Sequence, residues 1–171
     1  MNAIATHRQA LKWGFEILHM VVADLTAEQA HWQPPGIANP AGAQYAHAII
    51  AADAIALGML MAGAPLFASS WAGKTGVSQP QPQATQEWAR TVQVDLPALH
   101  AYAAAVAAAA DAFVAGLSES DLDRQIDLSA VGLGQRSLDW VLSAVVTGHL
   151  NNMAGEISAL KGLQGARGYP F

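Results

Sequence analysis

The chain has 171 residues, no cysteine, and 8 Lys plus Arg against 13 Asp plus Glu, a formal charge of −5. Disulfides, thiolate nucleophiles and cysteine metal sites are excluded, and without a basic cluster nucleic acid is not expected as a partner. A hydrophobic fraction of 53%, much of it alanine, suffices for one helical domain over residues 1–171.

The start, Met1-Asn2-Ala3-Ile4-Ala5-Thr6-His7-Arg8, lacks the basic-then-apolar order of a secretory signal. With the missing cysteine, this leads us to expect a cytoplasmic protein. Two apolar stretches, Ala46 to Ala68 and Ala101 to Leu117, invite a membrane reading. The first carries His47 and Asp53, and the second contains Asp111 and is short for a span, so no membrane partner is expected.

The first helix is predicted from Ile4 to Asp24, with Leu11, Phe15, Leu18, Val22 and Leu25 on one face. Thr26-Ala27-Glu28-Gln29 has the capping-box form and predicts a short helical turn. Pro34 and Pro35 then impose a loop. Asn39 as N-cap and Pro40 at the first helical position predict a second long helix to about Met61, its stripe being His47, Ile50, Ala54, Leu57 and Met61.

Residues 64–83, rich in Gly, Pro, Ser and Gln, read as a long surface loop between the second and third long helices. A helical turn is predicted from Thr85 to Arg90. Asp95 caps a third long helix whose buried stripe reads Leu99, Tyr102, Val106, Ala110, Phe113 and Leu117. Residues 118–136 form a connection with a brief extended piece at Gln125 to Leu128. Ser137 caps the fourth long helix, which runs to Lys161 with Leu142, Val146, His149, Met153, Ile157 and Leu160 on its stripe. Four long amphipathic segments make the expected fold class all-α, a four-helix bundle.

His47 and His149 lie on the apolar stripes of the second and fourth long helices. Two readings stay open from the pattern. They are unrelated core histidines bonded to backbone carbonyls, or they meet in one cavity where neutral imidazoles hold zinc, nickel or iron. His7, His31 and His100 are expected at surfaces or helix ends. Tryptophans 32, 71 and 88 flank loops, either walling a pocket or pinning a loop through an indole N–H.

The order Leu25-Thr26-x-Glu28-Gln29-x-x-Trp32-x-Pro34, Asn39-Pro40, then His47 with Asp53 is similar to the first half of the DinB/YfiT-like family. His149-x-x-x-Met153-x-Gly155-Glu156-Ile157, followed by Gly165-x-x-Gly168-Tyr169-Pro170-Phe171, resembles its second half. The resemblance implies a four-helix bundle, often dimeric, with a metal held by three histidines. It also implies a metal-dependent transferase or hydrolase acting with a low-molecular-weight thiol.

By position, the resemblance makes His47 the second-helix ligand and His149 the first histidine of the fourth-helix pair. The third ligand position is Met153, where the family has histidine. A thioether is soft and better suited to copper(I) than to zinc or nickel, so the site is a degenerate His-His-Met set. Glu156, seven residues after His149, is the carboxylate that could complete it, and His19 and Trp32 are candidate pocket residues. The alternative is a metal-free protein that binds a small molecule, or one that serves through a homodimer surface.

Overall fold

The computed structural model describes residues 2–171 and is mostly helical. Helix α1 (Ala3–Val22) begins where the Asn2 side chain accepts a hydrogen bond from the Ala5 amide at 2.9 Å. Leu11, Leu18, Val22 and Leu25 are buried as the three- and four-residue spacing requires, whereas Phe15 is only half-buried. The capping box forms: Gln29 N–H donates to the Thr26 hydroxyl and Thr26 N–H to the Gln29 side chain, opening α2 (Ala27–His31).

Helix α3 (Ala41–Asp53) takes Pro40, not Asn39, as its N-cap. The proline ring fixes φ near −59° but ψ is 148°, so helical dihedrals begin one residue later than expected. The helix continues to Leu60 as a wider π-helical turn, Ala54–Leu60. A short α4 (Gln86–Thr91) follows the long loop, and the Asp95 side chain then caps α5 (Leu96–Ala115) by accepting from the Ala98 amide. Val114, rather than Phe113 or Leu117, closes the buried stripe of α5.

The connection after α5 holds a hairpin. β1 (Gln125–Asp127) pairs antiparallel with β2 (Gln135–Ser137), with Ile126 opposite Arg136. The expected extended piece is present, but its partner strand was not legible in the pattern. Ser137 caps α6 (Leu138–Trp140), which runs through a second π-helical turn, Val141–Thr147, into α7 (Gly148–Leu163).

Helix α1 lies against α5 and α7, and α3 lies against the same two. Tyr45, Ile50, Leu99, Tyr102, Leu150 and Ile157 sit in the shared core with almost no exposed surface. Two segments, Ala41–Leu60 and Leu96–Ala115, are long and apolar enough to cross a membrane by length and composition. The first is 72% buried among the other helices, the second only 28%.

The long loop is tied down rather than loose. The Asp53 carboxylate accepts from the Leu66 and Phe67 amides at 2.8 and 2.9 Å and from the Tyr102 hydroxyl at 2.6 Å. Further along, Val77 bridges to Val94, and the Trp88 indole donates to the Gln79 carbonyl at 2.7 Å. Gly76 has φ of +75°, and a Cβ there would lie 2.5 Å from the Asp95 carbonyl oxygen, so the position requires glycine.

Candidate functional site

Helix α3 carries His47 toward α7, and His149 stands in the first turn of α7, directly after the π-helical turn. Such a turn rotates the following residues relative to a regular helix. Leu150 therefore takes the fully buried position, and His149 is half-buried beside it. The two imidazoles meet edge to face, with ring centroids 4.9 Å apart and planes at 84°. His47 Nδ1 and His149 Nε2 are both buried and have no hydrogen-bond partner.

Burial disfavours the charged imidazolium and pushes the His149 pKa down to about 4, and the neighbouring His47 pushes in the same direction. Burial lowers the His47 pKa as well, partly offset by hydrogen bonding toward the Pro82 carbonyl. Both rings are then neutral near pH 7, and each can offer a nitrogen lone pair.

Met153 follows His149 by one helical turn and is 7% exposed. Glu156 does not join the pair. It is exposed, and its carboxylate accepts a hydrogen bond from the Gln44 amide group. Asp53 is consumed by the loop and Tyr102. Among the described residues, no three of His, Cys, Asp and Glu are grouped so as to hold a metal ion.

A second imidazole pair lies between α1, α3 and α5. His19 and His100 have ring centroids 5.8 Å apart at 83°, and His100 Nδ1 shares a 2.9 Å hydrogen bond with the Tyr45 hydroxyl. They line a groove of about 290 Å³ together with Phe15, Glu16, Leu18, Ile49, Ala104 and Ala107. Burial, and then His19, lower the His100 pKa, and burial raises that of Tyr45.

His100, expected at a surface or helix end, is half-buried near the start of α5 and lines this groove. His19 belongs here and not with His47. Trp32 lines a separate shallow depression with Gln29 and Leu163. His7 is a correction too: it is 8% exposed and bonded to Asp139 at 2.8 Å. His31 does sit at a helix end, accepting the Val94 amide on Nε2. The His19–Tyr45–His100 cluster draws one residue from each of three helices, so no spacing along the chain announced it.

A family model described as the DinB superfamily matches residues 10–154. The chain belongs to the DinB superfamily. The crystal structure of a conserved protein from Enterococcus faecalis superposes with a TM-score of 0.80 at 20% identity, over 95% of this chain and 97% of that one. That likeness is one of fold. No curated protein matches the chain.

The resemblance implies an ion held by three histidines in this DinB protein. The two unpartnered buried nitrogens suit the first two ligand positions. The third does not fit, because Met153 offers a thioether and no carboxylate or third imidazole stands in for it. A catalytic divalent centre needs three good donors and an open position, and the residues present do not supply them.

Proposed function

We propose that this DinB-superfamily protein binds a small apolar molecule with a hydrogen-bonding head in the groove between α1 and α5. The frame is a four-helix bundle of the DinB/YfiT type, a reading supported by the contacts of α1 and α3 with α5 and α7. The observation that carries the proposal is the His19–His100–Tyr45 cluster in a groove whose other lining residues are apolar except Glu16. Binding sites of this kind take affinity from apolar walls and orientation from a few polar groups. With Tyr45 engaged on Nδ1, the free ring nitrogen of His100, those of His19 and the Glu16 carboxylate are the groups left for a ligand head.

The other reading, a metal-dependent transferase or hydrolase on a thiol-linked molecule, asks for the third donor that the His47–His149 pair lacks. The groove reading needs no such donor.

Octanoate and octanamide are suitable probes, followed through the histidine ring 1H–13C resonances. His19 and His100 signals should shift saturably while those of His47 and His149 stay in place, and Ala104→Trp should abolish the response by filling the groove. No shift at millimolar probe, or a shift that survives Ala104→Trp, would refute the proposal.

We further propose that the partner is a second copy of the chain in the cytoplasm. The support is the exposed, alanine-rich outer face of α5, with Ala101, Ala108 and Ala112 in solvent.

A further inference from the structure

We propose that His47, His149 and Met153 form a binding site for a soft monovalent cation, copper(I), in place of a divalent ion. The inference is independent of the groove and starts from the two ring nitrogens. His47 Nδ1 and His149 Nε2 are buried and unpartnered on rings whose centroids are 4.9 Å apart. Buried polar atoms are almost always satisfied, so two orphaned ring nitrogens on adjacent imidazoles point to a bound species between them.

The donor set selects the ion. Two neutral imidazoles and a thioether carry no negative charge, and Glu156 and Asp53 are both engaged elsewhere. An ion held here keeps its full charge in a place largely withdrawn from water. Thioether sulfur is also a poor ligand for zinc or nickel and a good one for copper(I). A filled d shell imposes no geometry, so two- or three-coordination is acceptable.

The test uses the full-length, tag-free protein under anaerobic conditions, titrated with copper(I) against a chromophoric copper(I) chelator, with zinc(II) titrated in parallel. One equivalent of copper(I) should bind, and His47→Ala and His149→Ala should each abolish it. Met153→Leu should weaken copper(I) by at least about tenfold and leave zinc(II) unchanged, whereas Met153→His should strengthen zinc(II).

Silver(I), added to the unsubstituted protein, gives a readout that does not depend on any variant folding. The Met153 methyl and the His47 and His149 ring signals should move together at one equivalent. Failure to compete with the chelator would overturn the proposal. So would silver shifts confined to His19 and His100, or copper(I) affinity unaffected by Met153→Leu.

Discussion

Asp53→Ala tests how far one buried carboxylate holds the long loop against the helices. Asp53 and Tyr102 are both 0% exposed, and the carboxylate accepts three hydrogen bonds, from two amides and a phenol, at 2.6–2.9 Å. Removing it strands the Tyr102 hydroxyl inside the core, at roughly 1–3 kcal/mol for an unsatisfied buried donor. The Leu66 and Phe67 amides belong to a half-buried segment that can reach water, so each loses only about 0.5–1 kcal/mol. The sum is about 3 kcal/mol, and for a chain of this length that lowers Tm by roughly 6–12 °C.

Urea denaturation at pH 7 measures the loss, and Tyr102→Phe is the control. It removes one donor and spares the two amide bonds, so about 1–2 kcal/mol is expected. The double variant should cost less than the sum of the singles, because the hydroxyl has nothing left to lose once Asp53 is gone. Amide exchange at Leu66 and Phe67 should accelerate in Asp53→Ala and not in Tyr102→Phe. An Asp53→Ala protein within about 0.5 kcal/mol of the parent would refute the clamp.

Gly76→Ala should destabilise by roughly 2–4 kcal/mol in urea denaturation, since it combines a left-handed backbone with a Cβ driven onto the Asp95 carbonyl. In NMR titration, the His100 ring should protonate at a lower pH than a free histidine, because burial and His19 both oppose its charge. The sign follows: the unfolded chain takes up that proton first, so this histidine's contribution to stability is complete at neutral pH and declines as pH falls through the ordinary histidine range. Ala108→Glu, on the outer face of α5, should shift the mass measured by light scattering from dimer to monomer without lowering Tm. Replacing His47 and His149 together by Leu should raise the stability of the metal-free protein by about 1–2 kcal/mol, by removing two unsatisfied nitrogens from the interior. A loss of stability in that variant would mean that the rings have structural partners.

Sequence pattern carried the helices because periodicity and caps are local. Thr26 with Gln29, Asp95 and Ser137 each sit where their side chains meet the first free amides of a helix, and each did so within three residues. The same locality explains what was missed. Asp53 had no sequence neighbour to suggest that it would cap a turn thirteen residues on, and the π-helical turn before His149 leaves no mark in a three-and-four pattern. His47 and His149 could be read because each lies on a long apolar stripe. His19 was a pocket candidate by itself, but Tyr45 and His100 could not be joined to it, because one residue from each of three helices gives no spacing to find.

The two imidazole pairs differ in what surrounds them, and that difference separates their chemistry. His100 has a phenol on one nitrogen and a groove on its other side, so it is already satisfied and can lend a single hydrogen bond to a guest. His47 and His149 face one another with a bare buried nitrogen each, an arrangement that costs stability until something occupies the gap. A methionine one turn on, in place of an imidazole ligand, is the basis for proposing copper(I) as that occupant. It replaces the imidazole nitrogen of the third ligand with a softer thioether sulfur. On the two proposals made above, helix α7 would hold copper(I) where the resemblance implies a divalent ion, and the groove between α1 and α5 would take the small apolar molecule.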